Sequence, residues 1–243
     1  MRKLILAETK LFLREPVGVF FGVAFPSILI GILGSVGAFR DPSPELGGLQ
    51  VIDVYVTIAI ALVLAMLALQ LAPQVLATYR EKGILRRMST TPVHPAKLLV
   101  AQLATAMLVA LAGIALMLTV AKVAFAVAVP RQLAGYLLAL VLAAAALIAI
   151  GLFVAAVAPS GKAGGAIGSI LFFPVMFFAG LWAPREVMPA WLQRVADFTP
   201  LGAGEHALFD ASTGSWPQAG QLIVLVAYIM VFGAAAARLF RWE

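Results

Sequence analysis

Tyr79-Arg80-Glu81-Lys82-Gly83-Ile84-Leu85-Arg86-Arg87-Met88-Ser89-Thr90-Thr91-Pro92 stands between two long apolar runs. Each run is long enough to cross a bilayer, so the segment between them lies in water on one side. Arg80, Lys82, Arg86, Arg87 and Lys97, against the lone Glu81, mark that side as the cytoplasm. A short charged helix held at a membrane surface, within a connecting loop at 77–97, is something a soluble partner can push against.

Composition agrees. The chain of 243 residues is 63% hydrophobic and 12% charged, with a mean hydropathy of +1.04. Soluble domains are nearer half apolar and a quarter charged. The net charge of +6 does not indicate nucleic acid, because the cations flank apolar runs and read as topology signals and contacts to anionic lipid. The absence of cysteine excludes disulfides, a thiolate nucleophile and thiolate metal sites. Met1-Arg2-Lys3-Leu4-Ile5-Leu6-Ala7 resembles a signal-peptide opening, but Glu8, Thr9 and Lys10 interrupt it too early, so it reads as a retained helix.

Windows of about 20 apolar residues place six transmembrane helices near 17–38, 54–76, 98–120, 133–156, 163–182 and 218–237. The N-terminal segment, the loop after span two, Lys162 and the tail hold twelve of the seventeen cations, which puts both termini in the cytoplasm. The expected fold is therefore all-α and polytopic, a single membrane domain over 1–243.

Residues 1–16 read as an amphipathic interfacial helix. Lys3, Lys10 and Arg14 form a basic ridge and Leu4 and Leu11 an apolar row, although Glu8 and Glu15 break up that face. Lipid anchoring and contact with a partner both fit it. Between spans five and six, residues 183–217 carry a helical face of Trp191, Leu192, Val195 and Phe198 opposite Gln193, Arg194 and Asp197. This reads as an outer re-entrant hairpin with Trp182, Trp191 and Trp216 at headgroup level. It serves as a surface hairpin or as an outer gate.

Several chemistries find no residues here. Ion-coupled transport needs an ionisable group near the midplane, and the spans show none. Ser169 has no embedded histidine to activate it, and no phosphate-binding Gly-x-x-x-x-Gly-Lys-Ser/Thr run occurs. His94 and His206 read as surface residues rather than metal ligands, so no metal site is expected. Gln70, Gln74 and Gln102 form an inner polar cluster, suited to interhelical hydrogen bonds or to a vestibule. Gly18 and Gly22, and Gly161 and Gly165, are spaced four apart. Such small-residue rows suit a dimer interface or packing within one protomer equally well.

Leu13-Arg14-Glu15-Pro16, then Glu81, Gly83, Leu85, Thr91 and Pro92 in the quoted segment, then Gly180-Leu181-Trp182-Ala183-Pro184 and Thr199-Pro200-Leu201 carry a family resemblance. The chain resembles the permease subunit of type 2 ATP-binding cassette exporters, similar to bacterial daunorubicin-resistance permeases. The resemblance spans essentially the whole sequence. It implies a plasma-membrane complex of two permeases, as a homodimer or as a pair with a similar permease, with two cytoplasmic ATPase subunits. ATP and magnesium would sit on the ATPase, and this chain would bind no cofactor and catalyse nothing. It implies coupling through Arg80, Glu81, Gly83, Leu85, Arg86, Arg87 and Pro92, and an outer gate around Gly180, Trp182, Pro184, Trp191 and Pro200. The cargo would be an amphipathic or hydrophobic drug, lipid or natural product. A channel or importer subunit and a membrane scaffold are the alternatives.

Overall fold

The computed structural model describes residues 2–42, 50–84, 96–183 and 185–239. Helix α1 (Arg2–Leu13) precedes six helices long and apolar enough to cross a membrane: α2 (Pro16–Ser35), α3 (Val51–Glu81), α4 (Ala96–Phe125), α5 (Leu133–Val157), α6 (Gly161–Phe178) and, after two shorter helices, α9 (Ala219–Leu239). The shorter pair is α7 (Ala190–Asp197) and α8 (Pro200–Thr213). No strand occurs among the described residues. Span two is longer than the sequence reading. It continues as helix through Glu81, so the expected loop at 77–97 begins five residues later than placed. Span five is displaced the other way and ends at Phe178, where Gly180 (φ +87°) lets the Leu181 amide reach back to the Met176 carbonyl.

Helix α3 is the axis of the bundle: Ile52, Ile58, Ile60, Val63 and Leu69 are fully buried along it. At 31 residues it is roughly 46 Å long, more than the ~30 Å hydrocarbon thickness. Helix α9, in contrast, is largely exposed and packs on α5. Ile223, Val226, Met230 and Val231 face outward from it. An apolar face of that kind is stable in lipid.

Two spans widen into π-turns, and each for the same reason. Phe20–Ala24 lies just before Pro26, and Met66–Leu71 just before Pro73. Proline has no N–H and its ring crowds the carbonyl four residues back, which here is Gly22 and Leu69. Each freed carbonyl is covered by a glycine of a neighbouring span. Gly113 of α4 lies against the Gly22 carbonyl and Gly168 of α6 against that of Leu69, so closely that a Cβ at either would overlap the oxygen. Helix α5 does the same one residue earlier, with Gly151 on the Ala68 carbonyl. Close backbone approach replaces the lost bond with Cα–H contacts and dispersion.

Helix α8 is buried against α5, α9 and α3 and lies among the spans rather than over them. Its N-terminus is capped by Thr199, whose Oγ1 accepts from the Gly202 amide at 3.1 Å, with Pro200 in the first turn. The backbone amides of Arg131 and Gln132 donate to the Ser212 and Ala211 carbonyls, tying the α4–α5 connection to its end.

Candidate functional site

Tyr79, Arg80 and Glu81, consecutive in the last turn of α3, each hold a different element. The Tyr79 hydroxyl donates to Glu8 Oε2 of α1 at 3.3 Å. Arg80 donates to the Ala155 carbonyl at 3.2 Å, to that of Ala156 at 2.9 Å, and to that of Ala158. Glu81 Oε2 accepts from the Gly161 amide at 2.9 Å. Successive helical residues point about 100° apart, so three in a row fan out to three partners.

The chemistry of each contact fits its place. The last carbonyls of a helix have no intrahelical donor and carry partial negative charge, so the C-terminus of α5 suits the planar guanidinium of Arg80. The first amides of α6 need acceptors. Ser160 supplies one for Ala163 at 3.2 Å and Glu81 supplies one for Gly161. The α5–α6 turn is thus clasped by a cation on its outgoing carbonyls and an anion on its incoming amide. Gly161 is required there, since a Cβ would overlap Thr78 Oγ1. Gly83 (φ +64°) ends the helix immediately afterwards. Leu85, Arg86, Arg87 and Pro92 lie outside the described residues.

Beside this clasp, Glu8 anchors α1. It is 7% exposed and also accepts from Gln102 Nε2 of α4 at 2.8 Å, while the Thr9 and Thr105 hydroxyls meet at 3.3 Å. Burial pushes the Glu8 carboxyl above its ordinary pKa, and the Tyr79 and Gln102 bonds pull it partly back. A cavity of about 490 Å³ opens under α1 between α3 and α4, and Gln74 and Gln102 both line it. Gln70 of the expected trio does not, since it lies beside Gly168 of α6. The sequence reading missed Glu8, Tyr79 and Thr105 as members of this polar group. Its one hint was an acid interrupting an amphipathic face.

The glycine rows face inward. A Cβ at Gly18 would lie 3.2 Å from the Phe12 ring, and one at Gly22 3.1 Å from Leu67. Gly165 lies near the Gln74 side chain. Packing within the protomer, the alternative left open above, therefore occupies the faces of Gly18, Gly22 and Gly161.

At the opposite end, Gly180 and Pro200 are buried, whereas Trp182 and Trp191 are 54% and 66% exposed. Trp182 stacks on Phe173 with ring centroids 6.2 Å apart. Pro184 lies outside the described residues. Trp191, Val195 and Phe198 present an apolar row outward, while Arg185 pairs with Asp197 at 2.7 Å and Gln193 donates to the Arg185 and Met188 carbonyls. His206 is partly buried: its side chain is 23% exposed and lies 3.6 Å from both Asp197 and Asp210. Asp210 in turn accepts from Gln221 at 2.8 Å. His94 lies outside the described residues. Among the described residues no three acids and histidines converge as a metal site.

Six apolar spans around a buried axis define a multi-pass α-helical membrane protein. The chain belongs to the ABC-2 type transporter family, whose model matches residues 2–211. It is therefore a transmembrane ABC transporter subunit, and the membrane domains of this family are not the catalytic ones. It is similar, at 28% identity over 75 residues, to the daunorubicin resistance ABC transporter permease protein DrrB1 of Streptomyces coeruleorubidus. That match covers 30% of this chain and 26% of the relative.

Proposed function

We propose that this chain is the membrane half of an ATP-driven exporter, in which two permease chains, as a homodimer in the plasma membrane, are worked by two ATPase subunits. Both termini and the α1 end face the cytoplasm, in keeping with the excess of Lys and Arg there. ATP and magnesium belong to the partner. The cargo is an amphipathic or hydrophobic molecule, because uncharged span interiors disfavour a small ion. The relative's name, a daunorubicin resistance permease, is consistent with such a cargo.

One observation carries the coupling role. Tyr79, Arg80 and Glu81 tie the end of span two to α1, to span four and to span five. A push delivered to the segment beyond Gly83 reaches all three through this node. In this mechanism Arg80 and Glu81 relay force inside the permease, and the ATPase meets residues further along, around 85–92. Exposed apolar residues on spans one and five, such as Ile32 and Ile170, form the surface for the second permease.

The test is co-reconstitution with the cognate ATPase. Arg80→Met, correctly inserted and still bound to its ATPase, should hydrolyse ATP with little export. Wild-type export by that variant would refute the relay. An impermeant thiol reagent should label cysteine at 193 or 213 from outside and at 82 only after permeabilisation. External labelling at 82 would overturn the orientation.

A further inference from the structure

The cavity under α1 is graded along its length. Its α3 wall runs Leu67, Leu71, Val75, Thr78 and Lys82, one helical face that passes from apolar to charged over roughly 22 Å. Lys82 caps the C-terminal end of α3, and Leu67 lies about four turns before it. Phe12 adds to the apolar part and Arg14 and Glu15 to the charged part. A volume of about 490 Å³ is in the range of small-molecule sites. The lining, apolar at one end and charged at the other, suits a single amphiphile.

The charges select the head. Glu8, Glu15, Arg14 and Lys82 all line this space, two anions and two cations. An anionic head would meet two carboxylates, and a cationic amphiphile would meet Arg14 and Lys82. A zwitterion satisfies both signs. Glu8 is the buried member, and both of its described hydrogen bonds fall on Oε2. A carboxylate has about four acceptor sites, so Glu8 retains capacity for a further donor. An ammonium donates up to three hydrogen bonds and a quaternary choline none, so the buried carboxylate favours a primary amine.

We propose that this cavity is a binding site for an amine-bearing zwitterionic phospholipid, with its ammonium on Glu8, its phosphate toward Arg14 and a chain along Leu67, Leu71 and Phe12. The lipid would fill the gap between α1 and the spans and fasten α1 to the membrane at the node described above. Burial disfavours the ionised Glu8 carboxylate, and a bound ammonium offsets that cost. The site does not depend on the export reading, because its test uses neither nucleotide nor transport.

The experiment is native mass spectrometry of the delipidated full chain titrated with dioleoyl phosphatidylethanolamine, phosphatidylcholine or phosphatidylglycerol. Phosphatidylethanolamine should bind most tightly. Glu8→Gln should reduce its advantage over phosphatidylcholine by about tenfold, the value of one charge-assisted hydrogen bond. Leu71→Trp leaves Glu8 in place and fills the apolar part, so it should weaken binding of phosphatidylethanolamine itself. Soluble glycerophosphoethanolamine should not compete, which separates a lipid from a free headgroup. Equal binding of the three lipids, an undiminished amine preference in Glu8→Gln, unchanged binding in Leu71→Trp, or effective competition by the soluble head would each overturn the assignment.

Discussion

The Glu81 carboxylate accepts the Gly161 amide at 2.9 Å, joining the last turn of span two to the first turn of span five. An acidic group placed on a free helical amide stabilises that terminus by about 0.3–1 kcal/mol when exposed, as Glu81 is. That is too little to hold the bundle together. It gives the first amide of span five an acceptor.

Glu81→Gln keeps an oxygen that can accept from Gly161, whereas Glu81→Ala does not. We expect the glutamine variant to retain most of its coupling and the alanine variant to uncouple ATP hydrolysis from export. Equal export by the wild type and Glu81→Ala would remove Glu81 from the mechanism.

Arg80 contributes more to stability, because a hydrogen bond to a charged group is worth about 1.5–3 kcal/mol. It spreads a planar fork over the carbonyls of Ala155, Ala156 and Ala158, which a lysine cannot match. Thermal unfolding in detergent should rank wild type above Arg80→Lys, and Arg80→Lys above Arg80→Met. A lysine variant as stable as wild type would mean that charge alone matters there.

The glycines that cover freed carbonyls make a sharper stability test. Gly168→Ala and Gly113→Ala each place a methyl on a backbone oxygen, an overpacking cost of about 1–3 kcal/mol. Gly31→Ala and Gly233→Ala meet nothing within 4 Å and should be neutral or slightly stabilising. If all four behaved alike in a detergent melt, the close approach to Leu69 and Gly22 would lose its support.

Much of this arrangement was legible from hydropathy and charge, because a bilayer forces a span to be long, helical and apolar. The six spans and the amphipathic α1 follow from that constraint. The partners of Glu8 do not, since Tyr79 and Gln102 lie 71 and 94 residues away and no local pattern announces them. Glu8 looked like a flaw in an apolar face, and only tertiary packing turns it into an anchor. The glycine rows were visible, but their direction was not: spacing gives a helical face without saying which neighbour it meets.

The inward-facing rows change where a second permease would be sought. Gly22 is enclosed by Leu67 and Val109, so a cysteine there should not crosslink between protomers. Ile32 and Ile170 are 59% and 70% exposed and should do so if spans one and five meet the partner. Crosslinking at 22 but not at 32 or 170 would contradict the packing described above.

The docking of α1 should depend on pH, through Glu8. Its carboxyl is pushed above the ordinary value by burial, more than the Tyr79 and Gln102 bonds lower it. The docked state therefore binds more protons than the detached one, so docking weakens as pH rises. The stabilisation is complete below the ordinary carboxylate value and is lost as pH climbs through the raised one. Tyr79 and Lys82 from the end of span two, Gln102 from span three, and Arg14 and Glu15 beyond α1 line the same cavity. A spin label at position 6, on the exposed side of α1, reports the change in lipid-free detergent. Its mobility should increase from acid toward neutral pH in the wild type. Tyr79→Phe deletes a bond that favours the ionised form, so the transition should move to higher pH. Glu8→Gln removes the titrating group and should flatten the profile; a wild-type slope in that variant would assign the pH dependence to another residue.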